Sequence, residues 1–404
     1  MPIESVNLSE FLIESPSKIV LMVVDGLGGL PNPKTGKSEL ETANIPNLRA
    51  LAKESALGRT VPVTTGIAPG SGAGHLALFG YDPVDYYLKR GAMEVIGTGL
   101  KLQSGEIAAR GNLCTINANG IVTDRRAGRP KTGQIAPAIE KLSKNLKLPG
   151  ASVSLYAMEE HRFAAIFRGD GLSDEVSDID PGLNDRAPLI AKAATPAAEK
   201  MARVANEFTQ QARNLLADEP MWNFALLRGL SQVPNVPSMK DKFKLNSAAV
   251  ASYPMYRGLA QIVGMSLLPG EIHSFREEID AVVRDWDKFN FFFIHYKPAD
   301  SAGEDYDFDR KVRMLEEFDK HLPLVRELHP DVLIIAGDHS TPAIAGMHTW
   351  HPVPFLVNSA LCGIGGVAEF SERSCANGML GTFPAKHVMN LALANAVKID
   401  KFGA

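Results

Sequence analysis

Three continuous apolar runs constrain the fold of this 404-residue chain more than any other feature. They are Lys18–Val24 (KIVLMVV), Phe289–Tyr296 (FNFFFIHY) and Val332–Ala336 (VLIIA). Each is short for a buried helix and rich in β-branched or aromatic residues, so each reads as a strand covered on both faces, as in a parallel sheet. Each gives way to an acid: Asp25 ahead of Gly26-Leu27-Gly28-Gly29, Asp300 after Lys297-Pro298-Ala299, and Asp338 after Gly337. Ligands of open α/β sheets bind at the carboxyl ends of the strands, so the three acids are expected along one sheet edge. A single acid after a strand is a common turn residue. Three in one chain, with Glu304, His339 and His348 close behind, point to a carboxylate-rich site for two divalent cations, suited to displacement at phosphorus. Asp300 and Glu304 are four apart and would face one way on a helical turn.

The stretch Asp331–Pro354 adds His351, which with His348 brackets Trp350. Taken alone it leaves two readings open: metal ligands, or a capping Asp-His pair followed by surface histidines. A second suggestive segment is Val61–Pro83, where Gly66, Pro69, Gly70, Gly72 and Gly74 crowd around Ser71 before an apolar His75–Phe79. A serine among small residues at a helix start has an exposed hydroxyl beside free N–H groups, a setting for phosphate and for a nucleophilic oxygen. An idle serine in a flexible loop is the other reading. The pattern is not G-x-S-x-G, because Pro69 and Ala73 occupy the glycine positions. Just upstream, Asn44 reads as the cap of a helix whose first turn holds Pro46.

A hairpin is expected around Asn117–Gly120, discharging into Asp124-Arg125-Arg126-Ala127-Gly128-Arg129. Three arginines in five residues make a clamp for phosphate or carboxylate; a solvated turn is the alternative. His161–Gly169 reads as another strand, and Val312, Leu315, Phe318 and Leu322 as one helical stripe.

At 45% hydrophobic, 22% charged and net −4, the composition leaves no footprint for nucleic acid or an anionic membrane. The length suits two domains. Cys114, Cys362 and Cys375 lack metal-ligand spacing and suit a reducing compartment. The N-terminal MPIESVNLSEFLIESPSK does not read as a signal peptide, and no apolar run is long enough to span a bilayer, so a cytoplasmic location is expected.

In order, VVDGLGG, ETANIPNL, APGSGAGHLALFGYDP, VTDRRAGR, HRF, KPADSAGE, AGDHSTP and HxxxPVP resemble the archaeal-type cofactor-independent phosphoglycerate mutases of the alkaline phosphatase superfamily, from about Lys18 to the final KFGA. The resemblance implies an α/β, alkaline-phosphatase-like core (1–95 and 235–404) with a central, mostly parallel sheet flanked by helices, and a smaller inserted substrate-gripping α/β domain (96–234). It implies isomerisation of 3-phosphoglycerate and 2-phosphoglycerate through a phosphoserine at Ser71, without 2,3-bisphosphoglycerate. Asp25, Ser71, Asp338 and His339 match the ligands of one metal, and Asp300, position 304 and His348 those of the other. Where the family commonly has histidine this chain has Glu304, which hardens the site and favours Mn²⁺, with Mg²⁺, Co²⁺ or Zn²⁺ as other ions. Asp124 matches a base. Arg125, Arg126, Arg129, His161 and Arg162 match the substrate-gripping set, and Lys297 a neutraliser of the transferring phosphoryl. Related readings are an ATP-dependent homoserine kinase, whose serine loop tends to be GSDVAN-like, and a phosphomonoesterase, which needs an open site. Oligomeric state is not legible.

Overall fold

The computed structural model describes residues 8–270 and 272–403. The first seven residues, on which part of the signal-peptide reading rests, lie outside the described residues, as do Glu271 and Ala404. In chain order the strands are β1 (Ile19–Val24), β2 (Ala56–Val61), β3 (Ile107–Ile116), β4 (Val122–Asp124), β5 (Ser152–Ala157), β6 (Arg162–Arg168), β7 (Phe224–Ser231), β8 (Ser247–Val250), β9 (Ser266–Leu267), β10 (Phe291–Tyr296), β11 (Val332–Ala336), β12 (Val353–Ser359) and β13 (Thr382–Pro384). The chain divides into two compact units, one formed by residues up to Tyr87 and from Val236 on, the other by Leu88–Asn235. Helix Arg90–Gly97 therefore lies wholly in the second.

The first unit is built on an eight-stranded sheet of order β13-β2-β12-β11-β1-β10-β8-β9. Only β12 runs antiparallel to its neighbours, β11 and β2; the remaining pairings are parallel. The three apolar runs are its centre, and every residue of β1, β10 and β11 is buried. Register places Val24 opposite Tyr296 and Val23 opposite Ala336, so the three strands finish level and the acids after them share one edge. Alternation sorts the side chains. Val20, Met22, Val24, Phe292, Ile294, Leu333 and Ile335 pack with Leu315, Phe318 and Leu322 of helix Phe308–Arg326. Phe293 points the other way, with its ring edge-on to Phe79 at 4.8 Å.

One sequence expectation is corrected here. Asn44 does not cap helix Pro46–Ala52; the cap position is Ile45, which offers no side-chain acceptor. The bare N–H groups of Asn47 and Leu48 are taken instead by the buried carboxylate of Asp319, at 3.2 and 2.7 Å. A cap supplied across the fold leaves no local signature in sequence.

In the second unit β3 pairs with β4, β6 and β7, and β6 with β5, all antiparallel. The expected hairpin turn is present, with Asn117 N–H donating to Ile121 O at 3.0 Å. The sheet packs with helices Ala136–Asn145 and Glu199–Leu215 around Phe163, Phe167 and Phe208. No described helix is long and apolar enough to cross a membrane.

Candidate metal centre

Asp25 follows β1 directly, and its N–H extends the ladder to Tyr296 O at 2.9 Å. Gly26 then turns with φ +66°, where a Cβ would lie 2.7–2.9 Å from Thr341 and Asp300. Only glycine lets these segments approach so closely. Asp300 sits in the first turn of helix Pro298–Glu304, and Asp338 and His339 leave β11 after Gly337. Ser71 is the first residue of helix Ser71–Leu78. Of the glycines around it, Gly74 serves packing, since a Cβ there would stand 2.2 Å from Asp338 O, whereas Gly66 and Gly70 have open space where a Cβ would lie.

The structure thus brings Asp25, Ser71, Asp300, Asp338, His339 and His348 together. Asp25, Asp338 and His339 form one cluster that could hold a cation, and Asp300, His339 and His348 another, with candidate ligand atoms within 4.8 Å of one another in each. His339 belongs to both. Glu304 stands at the more open rim, with Oε1 3.5 Å from His348 Nε2.

Hydrogen bonds fix which imidazole nitrogen is free. Thr341 Oγ1 donates to Asp300 Oδ1 at 2.7 Å, so it accepts from His339 Nδ1 at 2.9 Å. That leaves His339 Nε2 bare, 3.1 Å from Ser71 Oγ, 3.0 Å from Asp338 Oδ2 and 3.4 Å from Asp25 Oδ1. In the same way His348 Nδ1 donates to Pro69 O at 3.0 Å, turning Nε2 toward Asp300 and Glu304. The two rings stack with centroids 3.6 Å apart. Holding a ligating imidazole by its other nitrogen is how proteins prepare it for a metal. By contrast, His351 bonds Thr349 Oγ1 at 3.0 Å and stacks on Trp350, and it belongs to neither cluster.

The carboxylates are prepared likewise. Asp25, Asp300 and Asp338 are wholly buried. Asp25 Oδ2 receives the hydroxyl of Tyr256, His295 Nε2 at 3.1 Å and Lys297 Nζ at 3.2 Å, whereas Oδ1 has no hydrogen-bond partner. Asp338 Oδ1 accepts from Gly26 N–H at 3.1 Å, and its Oδ2 is also without a hydrogen bond. Buried acceptor oxygens left bare are costly. Two of them beside a bare imidazole nitrogen form the mixed oxygen and nitrogen donor set that suits a divalent transition metal. Burial and the Asp338 charge push the Asp25 carboxyl up, but Lys297, His295 and His339 outweigh them and hold it well below the usual range. Burial opposes protonation of His348, yet Glu304 and Asp300 push it up to about 9. Lys297 also binds Asp300.

Tyr256, His295, His75 and Thr341 were not singled out from sequence. Tyr256 stacks on His295 at 3.8 Å, and His75 packs against both while Nδ1 donates to Ser71 O at 2.8 Å. Tyr256→Phe keeps the stack and removes one donor from Asp25. Mn²⁺ affinity is expected to fall about tenfold, the lower end of the range for outer-shell partners, as read by calorimetric titration.

In the second unit, Arg125 is committed to a bidentate pair with Asp180, at 2.8 and 2.7 Å. Asp124 accepts the N–H groups of Arg126 and Gly128, at 2.8 and 2.7 Å, and shapes a turn in which Ala127, Gly128 and Arg129 are all left-handed. Arg126 and Arg129 are exposed. A cavity of about 370 Å³ is lined by Asp124, Arg125, Arg126, Gly182, Leu183 and Asn184. His161 is buried; its Nδ1 has no hydrogen-bond partner and lies 3.8 Å from Glu160 Oε2, and Nε of Arg162 likewise lacks a hydrogen bond. Burial first, then the charges of Arg162, Arg110 and Arg126, bring His161 down to about 4. An exposed histidine titrates near 6.5, so between those values the unfolded chain binds the extra proton, and stability rises with pH and is lost as the solution is acidified. His161→Gln is expected to remove about 2 kcal/mol of the loss in unfolding free energy between pH 7 and pH 4.5, as measured by urea unfolding.

A family model described as 2,3-bisphosphoglycerate-independent phosphoglycerate mutase matches residues 52–222. The chain is 46% identical over 400 residues to a probable 2,3-bisphosphoglycerate-independent phosphoglycerate mutase of Thermus thermophilus, covering 98% of each. It is 46% identical over 407 residues to one of Aquifex aeolicus, covering 98% of this chain and 99% of that one. Among solved structures, a Pyrococcus horikoshii protein superposes with TM-score 0.82 at 26% identity, over 96% of this chain and 99% of that one. A cofactor-independent phosphoglycerate mutase from Thermoplasma acidophilum gives 0.68 at 27% identity, over 94% and 100%.

Proposed function

Because the chain belongs to the 2,3-bisphosphoglycerate-independent phosphoglycerate mutase family, we propose that it interconverts 3-phosphoglycerate and 2-phosphoglycerate by passing the phosphoryl group through Ser71. The observation that carries this reading is Ser71 Oγ lying 3.1 Å from Nε2 of His339, beside Asp25 Oδ1 and Asp338 Oδ2, which accept no hydrogen bond although His75 Nδ1 stands 3.1 Å from the latter. Two divalent ions, Mn²⁺ in the first place and Mg²⁺, Co²⁺ or Zn²⁺ otherwise, would be held by Asp25, Ser71, Asp338 and His339 and by Asp300, Glu304 and His348, and would supply positive charge that favours an ionised serine oxygen and offsets phosphoryl charge.

In the first step Ser71 Oγ bonds to phosphorus as the phosphorus–oxygen bond to C3 of the substrate breaks. The departing oxygen keeps the electron pair and takes up a proton in exchange for the one the Ser71 hydroxyl gives up, giving glycerate. In the second step the C2 hydroxyl bonds to phosphorus as the phosphorus–Oγ bond breaks, its proton passes to a base, and Ser71 Oγ leaves with the electron pair and regains a proton. Asp124 is the proposed base. Arg126, Arg129, His161 and Arg162 are the proposed hold on the substrate's anionic groups, and Lys297 the proposed partner of the phosphoryl oxygens. Arg125, tied to Asp180, supports the turn that carries Arg126 and Arg129. Water must be kept from the phosphoserine, or the outcome is hydrolysis. We extend the same reading to a cytoplasmic location, where phosphoglycerates are formed and consumed.

The test is an enolase-coupled assay of 3-phosphoglycerate with Mn²⁺ and no 2,3-bisphosphoglycerate, run beside ATP with homoserine. Formation of 2-phosphoglycerate is expected. Turnover of ATP with homoserine alone would overturn the reading.

A further inference from the structure

We propose that Lys311 is a positioning residue for the metal centre, its ammonium group clipping together the two loops that carry the ligands. Lys311 lies in helix Phe308–Arg326, on the side that faces the core, and is wholly buried. Its Nζ donates to two main-chain carbonyls, Gly28 O at 3.0 Å and Thr341 O at 2.8 Å. The first belongs to the loop after Asp25, the second to the loop after Asp338 and His339. Gly28 O also accepts Thr341 N–H at 3.0 Å, so one carbonyl joins both loops and the lysine.

The grip on Thr341 reaches the ligands. Its hydroxyl is the group that receives His339 Nδ1–H and donates to Asp300 Oδ1. Moving the Thr341 backbone therefore disturbs the imidazole shared by both candidate clusters and a carboxylate of the second. Two further buried contacts act on the same loops. Glu39 accepts Ala343 N–H at 2.7 Å, and Glu372 accepts Gly29 N–H at 2.7 Å and the Ser38 hydroxyl at 2.5 Å. Glu39 Oε2 has no hydrogen-bond partner. Both carboxylates attract the Lys311 ammonium, against the burial that disfavours its charge. Buried charge contributes little net stability compared with apolar packing, and its best-attested use is to fix one arrangement. Here the arrangement fixed is that of the loops bearing Asp25, Asp338 and His339.

The inference rests on the metal-binding reading, and the experiment separates the two. Lys311→Met alone strands two buried carboxylates, so the comparison is Glu39→Gln/Glu372→Gln against Lys311→Met/Glu39→Gln/Glu372→Gln. Each is stripped of metal and titrated with Mn²⁺ by calorimetry, with a melt of the stripped protein alongside. The second is expected to bind Mn²⁺ at least about tenfold more weakly than the first, the scale of outer-shell effects, while its metal-free melting temperature stays within a few degrees. Equal affinities would overturn the role of Lys311. Wild-type protein that takes up no Mn²⁺ would overturn the metal reading itself. Should the triple variant not fold, Thr341→Val decides, because the route from Lys311 to the ligands runs through that hydroxyl. A comparable loss of affinity supports the proposal, and unchanged binding refutes it.

Discussion

Ser71→Ala is expected to lower phosphoglycerate turnover by roughly 10⁴-fold or more, the scale on which enzymes lose rate when the nucleophile itself is removed. The fold should survive. Ser71 opens its helix but does not cap it, since Gly70 holds the cap position, and alanine is the best helix former. The interaction lost is the contact with His339 Nε2. Asp25, Asp338 and His339 remain, so Mn²⁺ binding should weaken yet persist. The enolase-coupled assay and a calorimetric titration check both halves. Near-normal turnover in the variant would show that the phosphoryl group travels by another route.

Removing divalent ions is expected to have the second-largest effect: no measurable turnover after chelation, restored by Mn²⁺. Stability should follow. Asp25, Asp300 and Asp338 are buried at one sheet edge, where Lys297 pairs with Asp25 and Asp300. An ion that binds only the folded state at about 1,000 times its Kd adds about 4 kcal/mol. The melting temperature should therefore rise by several degrees on adding Mn²⁺ to stripped protein. Scanning calorimetry reads this directly, and a Tm indifferent to Mn²⁺ would count against the site.

What sequence made legible divides along a physical line. β1, β10 and β11 could be read because complete burial on both faces forces unbroken apolar runs, and strand ends are where turn acids stand. The stripe of Leu315, Phe318 and Leu322 was equally readable, because helical period is local. Lys311 on that helix was not, since its partners are carbonyls of Gly28 and Thr341, far away in the chain. His295 was hidden inside FNFFFIHY: only pairing with β1, which sets it opposite Val23, shows that it reaches Asp25. Tyr256 reaches the same carboxylate from another element. Asp124 and Arg125 were legible as residues, but their ties to Gly128 and Asp180 depend on how one turn folds. Residues that could touch chemistry were thus visible in the chain, whereas those that orient them became visible only with the register of the sheet.

The central claim is that phosphate rests on Ser71 between its two positions on glycerate. Rapid acid quench of enzyme turning over ³²P-labelled 3-phosphoglycerate, followed by mass mapping of the digested protein, addresses it most directly. The account predicts label on the Ser71 peptide within a single turnover, lost on a chase with unlabelled substrate as it passes to 2- and 3-phosphoglycerate. Steady turnover with no label on that peptide at any time would contradict it.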